Sequence, residues 1–391
     1  MTYSIGYILF LTFALSVLAG IHFYLWHRLV KKTALNKKLH KITSAIIIIL
    51  ALLMPINMIL LKFYPLNAIY SFAWLMFLWL GLMFFLFFWL IVSDFIYLII
   101  FLMLKTIPRR KIKLNPQRRE FIARAVAVNS LVLSSGMGIL GVKNYYADPI
   151  IKKIDIRLHN LPNIFKGFKI LQISDLHLGQ MMDKEKLSKV VEQVNLQNPD
   201  LIVITGDLVD GRVEVLSDEI QPLKNLKSPY GTFFITGNHE YYSGVESWIK
   251  EITKLNIKVL QNEAVRIKKD NDFIYLSGVH DYGAEKTGSD LIADYEKALG
   301  KLDKNKNIIL LAHQPSAIKK ITDYKVDLML SGHTHGGQIW PFNYLVGLLQ
   351  PHMKGLKKYR NTQLYINQGT GCWGPPLRVG TFNEITKIIL V

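Results

Sequence analysis

Five short stretches of this chain carry the residue types that hold divalent ions. KILQISDLHLG supplies Asp175 and His177, and LIVITGDLVDG supplies Asp207, with Asp210 close behind it. TFFITGNHEYY supplies Asn238, His239 and Glu240. IILLAHQP supplies His313, and DLMLSGHTHGG supplies His333 and His335. A neutral imidazole offers one lone pair at pH 7, which makes histidine the commonest protein metal ligand. His333 and His335 stand two apart among Gly332, Gly336 and Gly337, so they can aim at one point or at two neighbouring points. Taken singly, an Asp or His after an apolar run is more often a cap or a solvated loop residue. Five such tails in one chain are not incidental. Two carboxylates, one amide oxygen and four imidazoles exceed the four ligands of a closed zinc site. They suit two hard or borderline divalent ions that share a carboxylate and leave positions open for water and substrate.

The elements that must position these tails follow from the same stretches. Short apolar runs ending in turn residues predict strands at Lys169–Ser174, Leu201–Thr205, Thr232–Thr236, Phe273–Ser277, Ile308–Ala312, Val326–Leu330, Leu364–Asn367 and Ile385–Leu390. Between them, helical patterns predict Lys184–Leu196, Ser217–Leu226, Val245–Leu255, Asp290–Leu299 and Pro315–Thr322. Leu187, Val190, Val191 and Val194 recur at helical spacing and read as plain core. The alternation predicts an α/β domain from about residue 146 to residue 391. All five tails then fall at carboxyl ends of strands, where α/β sheets bind their ligands.

The first third is of another kind. The whole chain has 391 residues and a hydrophobic fraction of 50%, with a mean hydropathy of +0.22. Residues 1–150 hold 16 Lys and Arg against 3 Asp and Glu, so most of the +18 net charge lies there. The charges form blocks beside apolar runs, which fits membrane topology better than nucleic-acid binding. Ile5–Trp26 and Ile42–Leu61 are long enough to span a bilayer, the second with Pro55 inside it. Residues 68–104 would make a helix of roughly 55 Å against a hydrocarbon core of about 30 Å, so they read as one tilted span or two. The basic stretches His27–Lys41 and Lys105–Arg119 carry six and seven Lys and Arg and should share the cytoplasmic side. That requires the second span plus one between them. Phe121–Val142 is a fourth, weaker span, which gives about four spans in residues 1–145. The N-terminus and everything beyond about residue 143 are expected on the extracytoplasmic side. Arg118-Arg119 before Phe121 and Ile122 reads either as a twin-arginine export signal or as positive-inside anchors. Asp94, inside the third run, is expected to be wet at the interface. Cys372 is the single cysteine, so no intramolecular disulfide and no Cys-rich zinc site can form.

The five blocks, in order, resemble the calcineurin-like metallophosphoesterase superfamily, whose pattern is D-x-H, G-D, G-N-H-[DE], a lone H and G-H-x-H. Within it the chain is similar to the membrane-anchored bacterial branch, which also shows a Gly-rich C-terminal segment like NQGTGCWGPPLRVG (Asn367–Gly380). The resemblance implies a sandwich of central mixed sheets flanked by helices, behind the N-terminal transmembrane helices. It implies one ion on Asp175, His177 and His335, a second on Asn238, His313 and His333, and Asp207 bridging both. The ions would be manganese, iron or zinc. His239 would not bind metal but would serve the leaving oxygen, with Asp281 or Asp210 orienting it. A metal-bridging hydroxide would attack phosphorus in line.

The resulting expectation is a membrane-anchored phosphoesterase of the bacterial cytoplasmic membrane, acting on phosphodiesters, with no nucleic-acid partner. Two alternatives stand beside it. One is a lipid-directed hydrolase cleaving the pyrophosphate of a nucleotide-linked diacyl sugar, with PFNYLVGLL (Pro341–Leu349) as either a hydrophobic gate or a buried flap. The other is a non-enzymatic metal-binding scaffold, which the presence of every ligand and of His239 argues against. Trp373 and Arg378 are read as cleft lining or as a buried aromatic and a surface arginine. His22, His27, His40, His159, His280 and His352 are read as ordinary structural or interfacial histidines.

Overall fold

A computed structural model describes residues 5–63, 66–105, 115–179, 182–350 and 352–391. The chain divides into two compact units, Met1–Leu140 and Gly141–Val391. Helices α1 (Ile5–Trp26), α2 (Lys37–Phe63) and α3 (Leu66–Lys105) of the first unit, and α4 (Pro116–Tyr146), whose last residues belong to the second, are long and apolar enough to cross a membrane. The run expected as one span or two is a single helix of 40 residues, α3. Pro55 lies inside α2, as membrane helices tolerate. Asp94 is not merely wet: it pairs with the buried Arg28 and accepts the Tyr24 hydroxyl at 2.5 Å. An apolar helix can carry this carboxylate because its charge has a partner. Most of the second basic stretch, together with part of the link at 63–67, lies outside the described residues.

The second unit is a sandwich of two mixed sheets. The first has the order β1 (Ile150–Ile156), β12 (Glu384–Leu390), β2 (Lys169–Ile173), β3 (Leu201–Ile204), β4 (Thr232–Phe234), β5 (Ile257–Val259). The second runs β10 (Gly355–Tyr359), β11 (Thr362–Ile366), β9 (Leu328–Ser331), β8 (Ile308–Leu311), β7 (Asp272–Gly278), β6 (Glu263–Lys269). Strands β2 to β5 are parallel, as are β7, β8, β9 and β11. Both faces of each central strand are covered, so the strands are continuous apolar runs rather than alternating ones.

Period-2 alternation divides these residues among three cores. Ile170, Val203, Ile309, Leu328 and Ile388 fill the space between the sheets. Leu171, Ile173, Ile202 and Ile204 face outward, against Val190 and Val194 of α5 (Lys184–Leu196) and Trp248 and Ile252 of α8 (Val245–Thr253). On the other outer face Leu310, Met329 and Leu364 meet Ala298 and Leu299 of α9 (Tyr295–Leu299) and Ile318. The remaining helices are α6 (Val213–Leu216), α7 (Asn238–Ser243) and α10 (Phe342–Leu349).

Three expected helices are shorter or tighter than their patterns suggested. In place of 217–226 there is a turn at 217–220 and a 3-10 segment, Gln221–Asn225, with Pro222 at its start, where an α-helix already under way could not carry it. Pro315–Lys320 is likewise 3-10. The helix expected from Asp290 begins only at Tyr295, where Asp294 caps it by accepting the Lys297 N–H at 2.9 Å. The strands β1, β5, β6 and β10 were not expected. β10, for example, exposes Leu356, Lys357 and Lys358, so its sequence lacks a buried face to read.

Candidate metal centre

Beyond the ends of β2, β3, β4, β8 and β9 the chain turns sharply, and the five tails converge. The turns are costly. Asp175, His177, Asp207, His333 and His335 all have positive φ, between 48° and 72°. A side-chain-bearing residue in that region costs on the order of 1–3 kcal/mol, so the rest of the domain must hold the site open. Backbone bonds stitch the turns together: Asp175 N–H to Gly206 carbonyl at 3.0 Å, His177 N–H to Asp207 carbonyl at 3.1 Å, and Gly332 N–H to His313 carbonyl at 2.9 Å. Gly206, at φ 87°, is required: a Cβ there would stand 2.6 Å from Gly237 N and 2.7 Å from His313 Nδ1.

Three groups of donor atoms lie together, each with all its atoms within 4.8 Å of one another: Asp175, His177 and His335; Asp207, His313 and His333; and His177, Asp210 and His239. In the first, His177 Nε2 is 3.0 Å from His335 Nε2, which is 3.5 Å from Asp175 Oδ1. In the second, His313 Nε2 is 3.0 Å from Asp207 Oδ2 and 3.2 Å from His333 Nδ1. Asp207 Oδ2 is also 4.0 Å from His177 Nε2, so it lies between the groups.

The tautomers show what belongs there. His177 Nδ1 sits 3.1 Å from both Asp210 oxygens, and His313 Nδ1 is 2.7 Å from the Thr205 carbonyl. Each Nδ1 therefore donates, which points each Nε2 at the other donor atoms of its group. Burial opposes charge on His313, but until an ion binds Asp207 outweighs it and raises the ring well above its ordinary value, so that a proton stands in at its Nε2. The Asn238 side-chain oxygen is buried with no partner. An unpartnered buried oxygen and imidazole nitrogens crowded on carboxylates call for positive charge among them, so the residues present fit a pair of divalent ions.

Burial raises the Asp175 carboxyl. Burial acts the same way on Asp207, but His313 beside it outweighs this and holds it well below the usual carboxylate range. Burial, with His313 adding to it, lowers His333 to about 3, and burial lowers His335 well below its ordinary value, so both rings stay neutral.

His239 belongs to the third group, which shares His177 with the first. Its Nδ1 is 2.5 Å from Asp210 Oδ1, and its backbone N–H donates to Asp207 Oδ1 at 2.9 Å. The Tyr242 and Trp373 rings flank it, with centroids 5.4 Å and 6.4 Å away. Burial opposes charge on this ring, but the hydrogen bond to Asp210 and the charge of Asp207 lift it to about 9. Asp210, in turn, is held at about 2: His177 and His239 outweigh its burial.

Asp210 therefore orients His239. Asp281, the other residue expected to do so, does not: its carboxylate accepts the Gln314 amide at 3.0 and 3.1 Å and the Gly283 N–H at 2.7 Å. His280 is buried beside Thr236, and burial lowers it to about 4, as befits a core histidine. Trp373 is half exposed beside His239, whereas Arg378 is fully buried. Its guanidinium donates to the carbonyls of Gln368 and Gly369, both at 3.0 Å, and of Gly371. Those carbonyls belong to the loop that bonds back to Ser174 and Asp175.

Glu240 has a part that residue type alone did not reveal. It is wholly buried and accepts four backbone N–H groups, from Gly237 at 2.6 Å, Leu208 at 2.7 Å, Asp207 at 3.0 Å and Val209 at 3.3 Å. It thus ties the Asp207 turn to the Asn238 turn. The signal was its place at the third position of α7, where a Glu reaches back to the cap.

Comparison with known proteins agrees with this geometry. A profile of the calcineurin-like phosphoesterases matches residues 168–337. A metallophosphoesterase of Helicobacter pylori is 40% identical over 283 residues, which cover 72% of this chain and 74% of that protein. The chain belongs to the calcineurin-like phosphoesterase family. It is accordingly a metal-dependent phosphoester hydrolase. The likeness to other calcineurin-like phosphoesterases extends into the apolar helices. A metallophosphoesterase of Campylobacter jejuni is 34% identical over 391 residues, 98% of each chain. A Bos taurus transmembrane protein with a metallophosphoesterase domain is 39% identical over 290 residues, 71% of this chain and 64% of that one. Apolar helices and relatives of this kind associate this phosphoesterase with a membrane.

Proposed function

We propose that the chain hydrolyses phosphodiesters at a dinuclear metal centre. The observation that carries this reading is the convergence of two donor groups beside His239, whose Nδ1 is already taken by Asp210. Asp175, His177 and His335 would hold one ion, and Asn238, His313 and His333 the other, with Asp207 shared. When bound, such ions supply the Lewis acidity that makes water nucleophilic near neutral pH and offsets charge on a phosphoryl group. The donor set suits manganese, iron or zinc. Asp210 and the Thr205 carbonyl fix the tautomers of His177 and His313. Asp210 also pins the Nδ1 of His239, which leaves its other nitrogen to give a hydrogen bond or a proton to the leaving oxygen.

A diester is favoured over a monoester by the aromatic wall. Tyr242 and Trp373 are exposed beside His239 and offer an apolar face to a second ester substituent. The test is steady-state hydrolysis of a chromogenic diester and of its monoester. The diester should turn over faster, and Trp373→Ala should lower its kcat/KM by about tenfold, the scale of one lost apolar contact. Equal rates on both esters, unaffected by that substitution, would remove the preference.

The basic stretches around the spans support a multi-pass chain in a bacterial cytoplasmic membrane, with the catalytic domain outside the cytoplasm. Reporter fusions at the C-terminus test this. An enzyme reporter active only in the cytoplasm would reverse the orientation.

A further inference from the structure

Helix α10 (Phe342–Leu349) is inside out. It has no buried residue, and Leu345, Leu348 and Leu349, at i, i+3 and i+4, form one apolar stripe. Leu348 and Leu349 are 81% and 84% exposed, and Tyr344 and Leu345 are also exposed. A soluble surface helix has the opposite arrangement. Exposed apolar area of this kind marks a partner surface.

Three further observations say what that partner is. The first is charge. From Leu328 to Asn383 the chain has no acidic residue, and Lys354, Lys357, Lys358 and Arg360, all exposed, follow α10 directly. An apolar stripe followed by uncompensated basic residues suits an anionic lipid surface. The second is the tether. The last turns of α4, whose length and composition suit a membrane span, pack on the segment that carries Arg378 and Asn383: Arg378 N–H donates to Gly141 carbonyl at 3.0 Å, Asn144 to Arg378 carbonyl at 3.0 Å, and Asn383 to Tyr145 carbonyl at 3.0 Å. The third is continuity. That same segment holds the start of α10. The Gln338 amide donates to the Trp373 and Pro375 carbonyls at 2.7 and 3.1 Å, and Trp340 N–H donates to Val379 carbonyl at 2.8 Å.

We propose that α10 beds into an anionic bilayer surface, with Leu345, Leu348 and Leu349 among the acyl chains and Lys354, Lys357, Lys358 and Arg360 among the headgroups. The helix follows the His333–His335 loop directly, and Thr334 donates to Met353 carbonyl at 2.5 Å just beyond it. Docking therefore brings lipid headgroups beside the metal-centre loop. This assignment does not depend on the reaction catalysed.

The test uses the full chain reconstituted in vesicles of phosphatidylcholine with phosphatidylglycerol. An environment-sensitive thiol label is placed on Leu348→Cys and, for comparison, on Leu196→Cys, which is exposed at the end of α5. Unsubstituted protein, whose Cys372 is buried, gives the labelling background. Lipids brominated on the acyl chain should quench the label at 348 about threefold or more above that at 196. The difference should fade in phosphatidylcholine alone. Equal quenching at both positions overturns the proposal, and a difference undiminished without phosphatidylglycerol overturns its anionic part. Cross-linking of two chains through position 348 without lipid quenching assigns the face to a second copy instead. Both substituted residues lie on the surface, and a thermal melt of each variant matching that of the unsubstituted protein reports that it is folded.

Discussion

Asp210 decides what His239 can do. It accepts from His239 at 2.5 Å and from His177 at 3.1 Å, so one carboxylate orients both a metal ligand and the group proposed to meet the leaving oxygen. Two substitutions separate these parts. His239→Asn should lower kcat by about 10²–10⁴-fold, the range for a lost general acid, with metal content unchanged. Asp210→Asn should lower activity and also weaken metal binding by about 10–100-fold, because it loosens His177. Activity assays with metal analysis of the same samples check both. Loss of metal in His239→Asn would mean that His239 is itself a ligand. At this scale the ligand types were plain in the sequence. The choice between Asp210 and Asp281 was not, because both are carboxylates shortly after a strand end and only the turn after β3 brings Asp210 across to His239.

At the scale of elements, sharp turns after parallel strands set the donors in place. The turns depend on close approach at Gly206, where a side chain would meet both Gly237 N and His313 Nδ1. Gly206→Ala adds a Cβ at a positive φ and should cost about 3 kcal/mol, lowering the melting temperature of the catalytic domain by roughly 6–12 °C. A thermal melt with the metal held constant reads this, and an unchanged melt would show that the turn can relax. Trp248 of α8 is fully buried and its Nε1 donates to Gly211 carbonyl at 2.9 Å, next to Asp210. Trp248→Ala should cost about 3–5 kcal/mol through the cavity it leaves.

The strands that carry the site were legible because they are buried on both faces and end in recognisable tails. The edge strands β6 and β10 were not, since exposed Lys and Arg on an edge look like loop. Helix α10 was ambiguous for a related reason. An apolar stretch reads as buried unless something shows that it faces outward.

For the whole molecule, the metal centre and the membrane each have a measurable consequence. Five ligand-bearing residues in a costly backbone region mean that bound ions stabilise the fold. Removing them with a chelator should lower the melting temperature, and ions at about a hundred times Kd should restore about 2.7 kcal/mol. A melt indifferent to chelator would argue against ion binding. The four apolar helices predict that the chain stays with the membrane fraction through a high-salt wash, which strips proteins held by charge alone.

Metal content and diester hydrolysis, measured together on the full chain and on Asp207→Asn and His239→Ala, test the dinuclear centre most directly. The predicted result is two ions per unsubstituted chain and metal-dependent turnover. His239→Ala should keep its ions and lose turnover, and Asp207→Asn should lose both. Turnover that survives complete removal of metal, or full activity in His239→Ala, would contradict it.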